Sequence, residues 1–402
     1  MMETGHSNRV VIVGASAAGL TAAETLRKDG FAGDIMLVGA EHATPYKRPP
    51  LSKQVLAGTW AEDRAQLRTR AELNALNADW RVGTSAVHLD RVRQQVHLAD
   101  GSTIEYAGLV IATGVSPRHL AEGHELAGVH VLRTTQDAHA LGSDFAPGRR
   151  LVVIGAGFLG CEVAAVASAA QLQVTLVDPL LTPMLRQLGA EVGGQVAKLH
   201  QSHGVELVLG VGVSTLKGEN GRVTEVELTD GTLLEADVVL VAIGSNPSIE
   251  WLADSGLSLT NGVDCDEFCL AAPGIVAAGD VASWHHPGYG RRMRLEHQTN
   301  ALEQGAAAAR TLLGNAAEPF APIPFFWSDQ YNVKIQVYGA PHQDAIVSIV
   351  DGDPDEGRFA AVYRHGGQMV AVLTWNLPRE AIRLRGELVS EMASRAPSTV
   401  SR

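Results

Sequence analysis

Apolar blocks closed by glycine turns recur along the chain: RVVIVG from Arg9, DIMLVG from Asp34, GLVIATG from Gly108, RLVVIG from Arg150, VVLVAIG from Val238 and IVAAGD from Ile275. QVTLVD, from Gln173, closes on an acid instead. Continuous apolar runs bounded by turns predict strands of a parallel sheet buried on both faces. Alanine-rich stretches after the first and fourth blocks predict helices. Residues 151–177 carry one charge, Glu162, but Gly155, Gly157 and Gly160 interrupt them, so strand, turn and buried helix read better than a membrane span. After Pro322 and Pro324 the pattern changes. KIQVYG, AIVSIV and RFAAVYRHGGQMVAVLTW read as strands, with Gly366-Gly367 in a hairpin turn, and residues 378–395 as a closing helix. The fold class is α/β: two Rossmann-like dinucleotide-binding units plus a small α+β C-terminal domain.

The two helical blocks are near-repeats. RVVIVGASAAGL (9–20) and RLVVIGAGFLGC (150–161) place Gly14 on Gly155 and Gly19 on Gly160. In a dinucleotide-binding turn the first glycine bends the chain, the second admits a pyrophosphate and the third lets the helix approach the strand. The helix N-terminus favours the negative phosphates. The second copy, Gly155-Ala-Gly157-Phe-Leu159-Gly160, is complete, whereas the first carries Ser16 at its middle position. Asp178 ends the next strand of the second unit, where a carboxylate can bind a ribose 2′-hydroxyl and repels a 2′-phosphate, which favours NADH over NADPH. Glu41 is the first unit's candidate, with an ordinary loop acid as the alternative. Ala112-Thr113-Gly114, Gly244 and Gly279-Asp280 end further strands at ligand height. Asp280 can meet sugar-like hydroxyls or cap a helix.

Composition narrows the function. The 402 residues hold 42 glycines, above the usual share, as expected where backbone approaches a ligand. Net charge is −12, which disfavours nucleic acid and anionic membrane. The N-terminal stretch has no signal-peptide apolar region. The three cysteines, Cys161, Cys265 and Cys269, suit a reducing cytoplasm. Residues 1–160 contain none, so disulfide reduction and cysteine-type peroxidase chemistry lack a thiolate there. Cys161 reads as a small core residue, and Cys265 and Cys269 lack the further ligands of a metal site. Asp351, Asp353 and Asp355 fail the calcium-loop pattern at Glu356 and Val362. His285-His286 reads as a solvated loop.

With these motifs in place the chain resembles the FAD-dependent, NADH-linked ferredoxin reductases of bacterial P450 and Rieske oxygenase systems. Further motifs carry the likeness: P45-Y-K-R-P-P-L-S-K53, LRT at 132–134, L295-E-H297 and F326-W-S-D-Q-Y331. The resemblance implies FAD in the first unit and NADH in the second. It implies that Arg48 and Lys53 lie along the flavin, that Ala18, Ala86 and Arg133 contact FAD, and that Asp280 binds the ribityl chain. Glu296 and His297 would also contact FAD, Gln298 just past them would meet the pyrimidine edge, and Trp327 would cover the flavin. Glu162 would sit near the nicotinamide and pair with Lys53; these two are the candidate catalytic residues. Ser16, Ala40 and Gln298 depart from the usual pattern, Ala40 standing where relatives often carry an acid.

The implied domains are 1–118 with 244–320 for FAD, 119–243 for NADH, and 321–402 at the C-terminus. The resemblance implies a [2Fe–2S] ferredoxin as the electron acceptor; no iron–sulfur ligand set exists in this chain, so that centre would belong to a separate protein. Arg291, Arg292, Arg294, Lys334, Arg379, Arg383 and Arg385 are candidates for its docking patch, with ordinary solvated faces as the alternative. Two other functions stay open: an NADH oxidase or quinone-type reductase, and a redox-responsive NADH/FAD binding protein.

Overall fold

The structure, a computed structural model, describes residues 8–394. The helix expected over 378–395 is Pro378–Ala393, and Arg395 lies outside the described residues. Over the described residues the chain forms two compact units: 8–47, 65–116 and 246–322, and 48–64, 117–245 and 323–394.

The first unit is built on a six-stranded sheet ordered Leu270–Ala272, Ile275–Ala277, Gly108–Ile111, Arg9–Val13, Asp34–Gly39, Asp79–Val82. All pairings are parallel except that of the first two strands. Its central strands are apolar on both faces because helices cover them. Ala17–Lys28 and Gln298–Leu312 pack closely on one another, and a Cβ at Gly305 would stand 2.3 Å from the Ala18 carbonyl oxygen. Small residues at this crossing let the backbones meet.

The second unit repeats the plan. Its parallel sheet runs Glu206–Leu209, Gln173–Asp178, Arg150–Ile154, Val238–Val241, Val129–His130. The antiparallel sheet Phe325–Gln330, Val333–Gly339, Gln368–Trp375, Arg358–His365, Ile346–Asp353 belongs to the same unit. Gly366 and Gly367 both take positive φ, as a two-residue hairpin turn demands. Helix Pro378–Ala393 closes this sheet, with Leu384 and Leu388 packed among Ala360, Val362 and Val372. The 3-10 turn Pro49–Ser52 packs on helices Thr135–Ser143 and Phe158–Ala169, so 48–64 lies with the second unit although its chain neighbours lie with the first. Among the described residues no helix is long and apolar enough to cross a membrane.

Each glycine turn is held by close approach. At Gly14, φ is +115° and a Cβ would stand 2.0 Å from the Ala112 carbonyl oxygen. A Cβ at Gly160 would stand 1.8 Å from the Gly155 carbonyl oxygen, whereas one at Gly157 would meet only Gln187 Nε2, at 4.0 Å. Gly160→Ala is therefore expected to destabilise the protein by about 3 kcal/mol or more. Gly157→Ala, at the helix N-cap, should lose less than about 1 kcal/mol. Thermal unfolding of the two variants checks this, and equal losses would refute the role given to helix–strand approach.

Candidate active site

In the first unit the turn at Gly14 opens into a cleft of about 480 Å³. Val13, Gly14, Val38, Ala40, Thr84–Val87, Thr113, Ser248, Glu250 and Trp251 line it. Gly14, Ala86 and Thr113 were expected at a cofactor and are brought together here; Thr84, Ser85, Ser248, Glu250 and Trp251 were not foreseen. Thr113 Oγ1 donates to the Ser248 carbonyl at 2.8 Å. Ala112 and Gly114 flank Thr113, and Gly19 packs under the Gly14 carbonyl. Glu41 does not line the cleft, and its carboxylate accepts the Tyr46 hydroxyl. Ala18 is buried, beside Gly279 and under Gly305. Gly279 donates its N–H to Gln304 Oε1, and Arg294 donates to the Asp280 carbonyl and pairs with Glu296 at 2.8 Å. Gln298 opens helix Gln298–Leu312, with His297 as N-cap. Burial pushes the His297 pKa down to about 4.

In the second unit, Gly155, Gly157, Leu159 and Gly160 form the turn and first residues of helix Phe158–Ala169. Glu162 lies one turn into that helix and faces inward. Its carboxylate Oε2 accepts from Lys53 Nζ at 2.8 Å and from Ser52 Oγ at 2.5 Å, and its Oε1 accepts from Ser328 Oγ at 2.8 Å. Lys53 and Glu162 are only 9% and 6% exposed, so this is an ion pair withdrawn from water. Strand Phe325–Gln330 delivers Ser328 and is fastened to the helix by the edge-to-face pair Phe158–Phe326, 5.0 Å between ring centres. The strand's period of two turns Phe326, Ser328 and Gln330 inward, while Trp327 is half-buried and stacks on Phe325. Arg48 donates to the Arg133 carbonyl at 2.5 Å. Asp178 accepts the N–H groups of Ala156, at 2.7 Å, and Leu180, at 2.8 Å, which ties the strand end to the glycine turn. Gly244, at φ +99°, ends the loop after Val238–Val241.

Residues 8–305 match the family described as pyridine nucleotide-disulphide oxidoreductase, and residues 325–400 match the reductase C-terminal family. The chain is 39% identical to rhodocoxin reductase of Rhodococcus erythropolis over 95% of this chain and 90% of that one. It is 37% identical to putidaredoxin reductase of Pseudomonas putida, over 93% and 90%. The chain belongs to the ferredoxin reductases of this oxidoreductase family. The crystal structure of a covalent putidaredoxin reductase–putidaredoxin complex superposes on this reductase with TM-score 0.92 at 35% identity, covering 96% of this chain and 94% of that one. The reductase is accordingly an oxidoreductase that uses FAD and NAD(P)H.

The residues present fit those cofactors. Helices Ala17–Lys28, Phe158–Ala169 and Gln298–Leu312 start without a side-chain cap and without an acid in the first turn, leaving N–H groups for an anionic ligand. Thr84 Oγ1, on the cleft, is buried without a hydrogen-bond partner, as is Gln298 Oε1. Such atoms are costly unless a ligand meets them.

One expectation needs correction. His285-His286 is not a solvated loop: both residues lie in strand Ala282–His286. His286 is fully buried, with Nε2 at 2.8 Å from the Pro322 carbonyl. Three of the arginines named for the docking patch are engaged within the chain, while Arg291, Lys334, Arg379 and Arg385 are exposed. The Arg294 side chain is only 13% exposed and paired with Glu296, Arg292 reaches the Cys265 and Ser283 carbonyls, and Arg383 is held by Glu380 and Glu387. Residues Phe326 to Gln330 of the FWSDQY run lie in strand Phe325–Gln330, and two of them serve the Glu162 site. Ser52, Ser328 and Gln330 were missed at that site. Their signal was polarity at inward positions beside Lys53 and along that run.

Removing one partner of a buried ion pair leaves the other charge uncompensated, at about 3–5 kcal/mol. Lys53→Met alone should lower stability by that order, and Lys53→Met combined with Glu162→Gln should recover most of the loss. Thermal unfolding of the four members of the cycle tests the coupling, and additive losses would contradict it. A second expectation concerns pH. Burial pushes His200, in the same unit, down to a pKa of about 4 from an ordinary 6.5. The unfolded chain takes up this proton first as pH falls, so the contribution to stability is complete above about 6.5 and is lost progressively toward about 4. His200→Gln should flatten the pH dependence of the unfolding midpoint over that window, and an unchanged slope would rule His200 out as its source.

Proposed function

We propose that this chain is the NADH-linked reductase of an oxygenase system and supplies electrons through a separate [2Fe–2S] ferredoxin to a P450 or Rieske oxygenase. Bound FAD would supply the chemistry that links a two-electron hydride donor to a one-electron acceptor. The first unit would hold the flavin, with the phosphates at the Gly14–Gly19 turn, Asp280 toward the ribityl chain and Gln298 toward the ring edge. The second would hold NADH at the Gly155–Gly160 turn. The domain assignment carried forward is 1–118 with 244–320 for FAD, 119–243 for NADH and 321–402 closing the chain. We place the protein in the cytoplasm, where its three buried thiols stay reduced.

What this chain's residues contribute is position and charge. Lys53 would orient the ring through its ammonium, and Glu162 would hold Lys53 while facing the nicotinamide. The Asp178 carboxylate is locked by two backbone donors and keeps acceptor capacity for a ribose hydroxyl. The same fixed negative charge disfavours a 2′-phosphate, which supports NADH.

The observation that carries the reading is the buried Lys53–Glu162 pair in a chain with no cysteine in residues 1–160. A disulfide reductase needs a thiolate at its flavin; this chain has no cysteine in residues 1–160 and holds an ion pair that has no thiol–disulfide redox couple. The test is anaerobic mixing of the flavin-loaded protein with NADH, then with a panel of [2Fe–2S] ferredoxins, with oxygen, quinone and disulfide controls. Rapid flavin bleaching followed by rapid ferredoxin reduction is expected. Bleaching with electrons delivered only to oxygen or quinone would overturn the proposal in favour of an oxidase, and no bleaching would favour a binding protein.

A further inference from the structure

We propose that Ser328, Gln330, His200 and Tyr331 form a one-way chain of hydrogen bonds that positions the Glu162 carboxylate against Lys53. The inference rests on the reductase reading above and concerns residues that the sequence motifs did not single out for this role.

The direction of the chain follows step by step from its first member. Glu162 is paired with the Lys53 ammonium, and a carboxylate only accepts hydrogen bonds. Ser328 Oγ, 2.8 Å from Oε1, must therefore donate its proton to Glu162. The serine oxygen then accepts from Gln330 Nε2, at 3.1 Å. That orients the Gln330 amide, whose Nε2 also meets Met184 Sδ at 3.6 Å. Gln330 Oε1 is left facing His200 Nε2, at 3.0 Å, so that ring nitrogen carries the hydrogen. His200 Nδ1 is then an acceptor, and the Tyr331 hydroxyl, 3.0 Å away, donates to it. Each donor points toward Glu162, and each bond polarises the next in the same sense.

The surroundings keep the chain in one state. Ser328, Gln330 and His200 are fully buried, so water cannot compete for their bonds. Burial also keeps His200 neutral at ordinary pH, which the donor–acceptor pattern requires. Tyr331 sits at φ +54°, a left-handed conformation rare for a bulky residue, at the tip of the hairpin joining Phe325–Gln330 to Val333–Gly339. Its ring is stacked on His203, 3.7 Å between centres and 14° between planes, which fixes the hydroxyl over His200. Strain of this kind persists where the surroundings over-determine the conformation. The effect on Glu162 is geometric: Ser52 and Lys53 hold Oε2, the chain holds Oε1, and the carboxylate cannot rotate without breaking bonds on both sides.

Two measurements test this on the flavin-loaded protein. The first is ¹⁵N NMR of histidine-labelled protein near pH 7, with the His200 signal assigned by its loss in His200→Gln. The neutral Nε2–H tautomer is expected in wild type, with mixed tautomers in Gln330→Leu. The second is anaerobic stopped-flow reduction by NADH. Ser328→Ala and Gln330→Leu should slow flavin reduction by about tenfold while the half-saturating NADH concentration stays within about twofold; Tyr331→Phe, farthest along the chain and least disruptive, should slow it by about twofold to threefold. An Nδ1–H or protonated His200 in wild type would overturn the proposed direction. Wild-type reduction rates in Ser328→Ala and Tyr331→Phe would overturn the positioning role. A wild-type flavin that NADH does not reduce would overturn the reductase reading itself, and the wild-type control separates that failure from the other two.

Discussion

An ammonium and a carboxylate withdrawn from water must satisfy each other, because neither can be buried alone without a large penalty. The Lys53–Glu162 pair imposes that constraint on everything around it. It requires the turn Pro49–Ser52 to lie against helix Phe158–Ala169, although 109 positions separate the two side chains. It requires Ser52 and Ser328 to turn their hydroxyls inward, since the carboxylate has acceptor capacity beyond a single lysine. It also gives strand Phe325–Gln330 a place in the second unit that its sequence, three aromatic residues followed by three polar ones, would not specify by hydrophobicity alone. The pair is weak evidence for stability as such. Its value is definition: it admits one arrangement of the elements that meet there.

The two glycine turns solve a different problem by the same means. A parallel sheet covered by helices leaves little room between strand and helix, and Gly19 and Gly160 each lie where any Cβ would strike the carbonyl of the turn's first glycine. At Gly157 a Cβ would meet only Gln187 Nε2, at 4.0 Å, so packing within the protein does not require glycine there. Ser16 occupies the corresponding place in the first unit and makes no side-chain bond to its own helix. The middle position is thus the one of the three where this fold does not demand glycine, in keeping with Ser16 in the first copy.

Most of the fold was legible because its signals are local. The paired glycine motifs, the apolar strand blocks and the Gly366-Gly367 turn are each set by residues a few positions apart, and the structure contains the corresponding elements. What was not legible depends on distant pairing. His286 reads as a surface histidine until the Pro322 carbonyl meets it across 36 positions. Arg294 and Arg383 read as free surface charges until Glu296, and Glu380 with Glu387, pair with them. Ser328, Gln330 and His200 carry no motif, since a buried polar side chain looks in sequence like an exposed one, and only the fold shows which of them faces a carboxylate. The cleft showed the same limit, with Gly14 and Thr113 visible as strand-end residues and Thr84 and Trp251 not.

Charge at one position also decides which chemistry this scaffold can support. Cys161 precedes Glu162 in the chain and is fully buried, its thiol donating to the Ala156 carbonyl. Burial pushes its pKa well up, and the negative charges of Glu162 and Asp178 push it further. A thiolate beside those carboxylates would be opposed by both desolvation and repulsion, so the thiol stays protonated and inert. Cys265 and Cys269 are likewise raised by burial first. In a family whose description includes disulphide chemistry, this chain places its buried negative charge where it holds an ammonium and suppresses a thiolate. The carboxylate that orders Lys53 thus also keeps the neighbouring cysteine out of the reaction.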